Sequence, residues 1–218
     1  NIQQTAVMNG IFVDAKLREE MRVELKELTQ RLRITSIFVT HDQLEALTLS
    51  DRIAVMRDGV IVQEGSAEGI YATPNSRFTA EFIGTTNLFD AEVKEIREAP
   101  TADQSRVLVE TPQGGLACSL LPGFKVGDKA IVAVRPEGVS VSTARNDADE
   151  NVFEGTVNSV VYLGDSLDCR ITIGERPIRT FVPSSARLKP GDTVYLAMGA
   201  SDCRLLPPEE ASTREAVA

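Results

Sequence analysis

The sequence predicts an α+β chain in two parts, a mixed helix-and-strand segment followed by a small antiparallel β-barrel or sandwich. Three observations predict it. Apolar residues recur at helical spacing from Leu17 to Leu32. Short alternating runs divided by Gly, Pro, Asp and Asn fill the chain after Gly84. The pattern Lys-x-Gly-Asp followed by an apolar strand occurs twice, 64 residues apart, in "GFKVGDKAIVAV" (123–134) and "RLKPGDTVYLAM" (187–198).

Residues 1–13, "NIQQTAVMNGIFV", show no clean period, and a fray, a strand and vector-derived sequence all fit them. Asp14 is a capping residue type. After it Leu17, Met21, Leu25, Leu28 and Leu32 follow at spacings of four, four, three and four, one face of a helix whose other faces carry Glu, Arg and Lys. That stripe is expected to face a core. "TSIFVT" (35–40) reads as a buried strand and "DQLEALTLS" (42–50) as a short helix. "RIAVMRDGVIVQEG" (52–65) reads as a hairpin turning at Asp58-Gly59, because that dipeptide suits the left-handed dihedrals of a two-residue turn. "SAEGIYATP" and "SRFTAEFIG" read as two short helices, the first capped by Ser66, with Pro74 between them.

From Thr86 to about Leu206 the expected strands are "LFDAEVKEI", "QSRVLVETP", "GLACSLL", "DKAIVAVRPEGVSVS", "FEGTVNSVVYLG", "SLDCRITIG", "RPIRTFVP" and "DTVYLAMG". The Lys-x-Gly-Asp echo suggests two related half-units closing one barrel, joined by the acidic loop "STARNDADEN" (142–151). The tail "PPEEASTREAVA" is expected to fray. The division expected is 1–85, 86–207 and a flexible tail at 208–218.

Composition excludes several functions. With 42% hydrophobic and 25% charged residues the chain is expected to be soluble and globular. A net charge of −9 and the absence of Trp argue against a nucleic-acid partner, which needs a basic face and stacking aromatics. No run approaches the roughly 18 apolar residues of a membrane span, so no direct membrane insertion is expected. Cys118, Cys169 and Cys203 are odd in number and far apart, which fits reduced cytoplasmic thiols and no metal site.

The stretch "FVTHDQLEALTLSDRIAVM" (38–56) holds the one histidine, His41. An apolar run ending in Thr-His-Asp, then Glu-Ala in a helix, then an S-D-R-I-x-V-M hairpin, resembles the switch-histidine region of ATP-binding cassette (ABC) importer ATPases. Upstream, "DAKLREEMRVELKEL" is similar to the segment after that family's D-loop, which sets Asp14 on the D-loop aspartate. "VRPEGVSVS" and "GTVNSVVYLGDS" look like the TOBE domain of importers for polyamines, ferric iron and sugars. The resemblance implies a partial α/β ATPase remnant followed by an OB-like antiparallel β-barrel. For an intact family member it also implies ATP and magnesium as cofactors, permease subunits and a second ATPase copy as partners, and a cytoplasmic place peripheral to the inner face of the cell membrane.

The departures matter as much. No G-x-x-x-x-G-K-[ST] loop occurs in the sequence, and no L-S-G-G-Q signature. With Asp14 on the D-loop, the Walker B aspartate and the catalytic glutamate fall on Val7 and Met8, neither of which binds magnesium or polarises water. One imidazole hydrogen bond contributes roughly 0.5–3 kcal/mol, whereas even millimolar binding needs about 4 kcal/mol. His41 is therefore expected to be catalytic only in an intact parent, and this chain alone to hold no ATP. In the barrel, Arg135-Pro136-Glu137 terminates a strand and offers either an ion pair or a subunit contact that reports transport status. "YLGDS" (162–166) offers either a plain turn or, through Ser166, an anion contact. An oxyanion-binding module standing alone is the alternative reading.

Overall fold

The computed structural model describes residues 5–8, 11–101, 104–146 and 148–208, and the chain divides into two units, one ending at Pro74 and one beginning at Asn75. Of the tail expected to fray, residues 209–218 lie outside the described residues.

The first unit opens with a hairpin of β1 (Thr5–Met8) and β2 (Ile11–Asp14), paired from Thr5↔Asp14 to Met8↔Ile11. Of the three readings of residues 1–13, the strand holds for these two segments. The expected helix follows as α1 (Ala15–Leu32) and stops where Arg33 turns left-handed at φ 53°. Its stripe does not meet the expected core. Leu17, Met21, Leu25, Leu28 and Leu32 are between 37% and 55% exposed, because among the described residues no apolar layer covers them. The segment 35–40 also departs from expectation. It takes no regular secondary structure and pairs with no strand among the described residues, and Ile37 and Val39 are 91% and 97% exposed. Apolar alternation gives a segment the capacity for a strand; a ladder partner makes it one.

Helix α2 (Gln43–Leu49) is tied to α1 by Lys26, whose Nζ donates to the Leu49 carbonyl at 3.0 Å and meets Asp51 Oδ1 at 2.9 Å. Strands β3 (Ile53–Arg57) and β4 (Val60–Gly65) form the expected hairpin. Asp58 and Gly59 both take positive φ, 51° and 82°, the signature of the tight turn that matches strand twist. Ser66 caps α3 (Ala67–Ala72) through its Oγ, 3.0 Å from the Gly69 amide.

The second unit starts with α4 (Arg77–Phe82), capped by Ser76. The sequence placed the division after residue 85; the structure places it at Pro74, because Ala80 of α4 packs with Leu88, Ile131, Ala133 and Leu206. Ten strands follow among the described residues: β5 (Asn87–Arg97), β6 (Arg106–Thr111), β7 (Gly114–Ser119), β8 (Lys129–Val134), β9 (Val139–Ser142), β10 (Val152–Tyr162), β11 (Ser166–Ile173), β12 (Arg176–Pro183), β13 (Thr193–Met198) and β14 (Cys203–Leu206). Sequence reading passed over β14, four residues behind a tight turn.

These strands form two five-stranded antiparallel sheets, β14-β8-β5-β6-β7 and β9-β13-β10-β11-β12, each a half-barrel. The 64-residue echo is structural. Val93 and Val157 sit at equivalent bulges in β5 and β10, and each brackets a Lys-x-Gly-Asp turn in the same way. The Val93 amide donates to Asp128 O (2.9 Å) and its carbonyl accepts from Gly127 (2.8 Å); Val157 does likewise with Asp192 (2.9 Å) and Gly191 (2.8 Å). The last strand of each half crosses over. β9 pairs with β13 of the second half, and β14 pairs with β8 of the first. One apolar core runs through both sheets, with Phe89, Val93, Val132, Ile171, Ile178 and Leu196 fully buried in it.

Candidate functional site

His41 lies at the bend between segment 35–40 and α2, and the residues around it fix its backbone. Asp42 caps α2, its Oδ1 accepting from the amides of Leu44 (2.9 Å) and Glu45 (3.2 Å). Thr40 Oγ1 accepts from the Asp42 amide (2.9 Å) and donates to Glu45 Oε2 (2.8 Å). This reciprocal cap is why Thr-His-Asp-x-x-Glu works as a unit: it satisfies the first amides of α2 and leaves the imidazole on the surface. Asp14 ends β2 directly before α1; its side chain lies outside the described residues.

Arg135 does not stand out as a docking group. Its Nη1 donates to the carbonyls of Ala80 (2.9 Å) and Thr85 (3.0 Å), so it fastens the end of α4 inside its own unit. Glu137 is exposed on the short 3₁₀ turn after β8 and borders a hollow of about 380 Å³ with Ser140, Asp149, Glu150 and Asp202. The equivalent turns of the two halves meet here. The Asp202 side chain would stand only 3.0 Å from a Cβ at Gly138. The Glu150 carboxyl is held below its usual range by the Ala200 amide (3.0 Å) and by Arg106 (3.1 Å). Burial and the nearby Glu137 carboxylate push Asp202 up, against the Gly199 amide. Four carboxylates and no basic side chain line the hollow, a setting that repels an anion.

Ser166 begins β11, and its hydroxyl lies 3.0 Å from Asp165 Oδ1 in a turn closed by the Leu163 amide on the Ser166 carbonyl (2.9 Å). With that proton given to a neighbouring carboxylate, an anion at Ser166 would meet negative charge. Within the second unit, Glu137 and Ser166 stand on separate turns; His41 belongs to the first unit.

Two residues that sequence reading missed hold the barrel shut. Asn87, at the start of β5, accepts from the Arg179 amide and donates to its carbonyl, both at 2.9 Å, on edge strand β12 of the other sheet. Asn151, just before β10, does the same to Ala117 on edge strand β7, at 2.7 and 2.8 Å, and also donates to Met198 O at 2.8 Å. Each carboxamide substitutes for one rung of a ladder between sheets. The signal was present: "NLFDAEV" (87–93) and "NVFEGTV" (151–157) extend the 64-residue echo and place the two asparagines in register. Cys118 and Cys203 also come together across the edges of the first sheet. Both are buried, and their contact and desolvation push the Cys118 thiol far up, which keeps it a protonated core group.

Residues 132–206 match the family described as the TOBE domain, which spans β9 to β14 and the end of β8. Over 74% of its length the chain is 45% identical to the spermidine/putrescine import ATP-binding protein PotA of Photobacterium profundum, and over 89% it is 37% identical to that of Roseobacter denitrificans. It corresponds to the C-terminal region of an ABC importer ATP-binding subunit. The chain spans about half the length of these relatives, 42% and 53% respectively. The cytoplasmic molybdate-binding protein ModG shares the barrel fold, with a TM-score of 0.51 at 20% identity over 56% of this chain and 96% of ModG. The OB-like TOBE barrel is therefore the observed fold of the second unit. No helix among the described residues is long and apolar enough to cross a membrane.

Proposed function

We propose that this chain serves in the ATP-binding subunit of a polyamine importer. In the intact subunit, ATP and magnesium are gripped by motifs outside this sequence, and His41 contacts the terminal phosphate. The observation that carries the reading is the capped Thr40-His41-Asp42 bend, which presents an imidazole on a fixed backbone before a TOBE barrel. The names of the most similar relatives favour spermidine or putrescine as solute. The exposed stripe of α1 and the unpaired segment 35–40 support association with further protein, either the remaining part of the ATPase domain or a second subunit. The barrel holds two such subunits together and receives regulatory signals, with exposed Glu137 as its contact residue. Permease partners place the assembly at the cytoplasmic face of the membrane. An anion-binding module is the weaker reading, because Ser166 and the hollow both face carboxylates.

A full-length subunit bearing this region, expressed with a permease in a bacterium lacking polyamine import, is expected to restore uptake of labelled spermidine. His41→Ala in that subunit is expected to remove most of the uptake, and the present chain alone to show no magnesium-dependent ATP turnover. Turnover by the pure chain, or uptake indifferent to His41→Ala, would overturn the reading.

A further inference from the structure

The peptide joining α4 to β5 is gripped from both halves of the barrel at one residue. Arg135, from the end of the first half's β8, donates to the Thr85 carbonyl at 3.0 Å and to Ala80 O, near the end of α4, at 2.9 Å. Arg179, from the second half's β12, donates through Nη1 to the Thr85 hydroxyl at 2.9 Å. Arg179 is itself fixed: its Nε and Nη2 chelate Asp168 at 2.9 and 2.7 Å, its guanidinium lies 5.2 Å from the Phe181 ring centre, and its backbone pairs with Asn87. A bidentate pair of this kind sets direction as well as distance. Helix α4 rests on a composite surface too, because Ala80 is fully buried against Leu88 of β5, Ile131 and Ala133 of β8, and Leu206 of the crossed-over β14.

We propose that Thr85 couples the two half-barrels to α4. The first half holds its carbonyl and the second its hydroxyl, so a change in how the halves are set against each other reaches the end of the helix through Thr85, beside the packing of Ala80. Neither grip alone would do this. Arg135 by itself would make α4 an appendage of the first sheet, and Arg179 by itself would leave the helix end untouched. Gly84, at φ 80°, bends the chain between α4 and Thr85, so only a short link separates Thr85 from the last turn of the helix. The coupling rests on the regulatory reading of the barrel for its purpose. It is read without nucleotide, so its failure leaves the import reading standing.

Hydrogen exchange on the whole chain tests it. Thr85→Val removes the hydroxyl that Arg179 reaches and keeps the carbonyl for Arg135; Thr85→Ser keeps both. Because the hydroxyl contact is solvent-exposed, Thr85→Val is expected to speed exchange of the amides at 79–86 roughly two- to fivefold. Amides of β13 should be unchanged, and Thr85→Ser should behave as the parent. Unchanged exchange in Thr85→Val overturns the proposal, and so does equal acceleration in both variants, since Thr85→Ser keeps the hydroxyl that Arg179 reaches. Asp168→Asn, which loosens Arg179 without touching α4, is expected to speed the same amides; no change there overturns it as well.

Discussion

Asn151→Ala is the sharpest test of how the barrel is closed. The carboxamide makes three hydrogen bonds to backbone groups of Ala117 and Met198, at 2.7, 2.8 and 2.8 Å. At about 1 kcal/mol each, their loss costs about 3 kcal/mol. Asn151 also holds φ at 51°, where alanine is strained by about 1 kcal/mol more than asparagine. Asn151→Gly separates the two effects, because glycine accepts that dihedral and loses only the bonds. For a unit of this size, about 3 kcal/mol corresponds to a fall of roughly 10–15 °C in Tm. Calorimetry on the whole chain, following the barrel transition, should place Asn151→Gly about 3 kcal/mol below the parent and Asn151→Ala lower still. Asn87→Ala, with two bonds lost, should cost about 2 kcal/mol. A loss below about 1 kcal/mol in Asn151→Gly would refute the claim that the carboxamides act as ladder rungs between sheets.

Gly155→Ala should destabilise the barrel by about 1–3 kcal/mol through overpacking. A Cβ there would lie 2.8 Å from Ile171 Cγ2, 2.9 Å from Leu196 Cδ1 and 3.0 Å from the Thr172 carbonyl, and thermal unfolding reads the loss. Asp202→Asn should stabilise the chain near neutral pH. The Asp202 carboxyl is raised in the folded state, so the native state binds its proton more tightly than the unfolded chain does. Stability from this group is therefore gained as pH falls through the window above the ordinary carboxylate value of about 3.9, and lost as pH rises. Urea midpoints should favour Asp202→Asn near neutrality and coincide with the parent below that window. Asp168, lowered first by its Arg179 hydrogen bonds, works in the opposite sense: its contribution is present above the ordinary value and lost as acid protonates it.

Local signals in the sequence carried far, because turns and caps are decided within a few residues. Asp58-Gly59, Ser66, Asp42 and the Lys-x-Gly-Asp turns all stand where their side-chain chemistry places them. What escaped was non-local. The crossing of β9 and β14 between halves depends on which neighbour each strand meets, and four residues such as Cys203–Leu206 carry no periodicity long enough to reveal a strand. Asn87 and Asn151 look like ordinary loop residues one at a time. Only the comparison of one half with the other singles them out.

The two units illustrate the same division of labour from opposite sides. Every strand of the barrel finds its partners within residues 87–206, so alternation there was enough to place apolar side chains inside. In the first unit the same kind of signal, in α1 and in 35–40, points at surfaces that the described residues do not supply. An apolar pattern states that a face is to be covered without naming the cover. The stripe of Leu17, Met21, Leu25, Leu28 and Leu32 is left exposed, with no cover among the described residues. Its accompanying Thr40-His41-Asp42 bend is already built, since the Asp42 and Thr40–Glu45 bonds depend on no distant partner. Local chemistry thus completes the bend around the exposed His41, whereas the apolar face of α1 depends on more than the residues next to it in sequence.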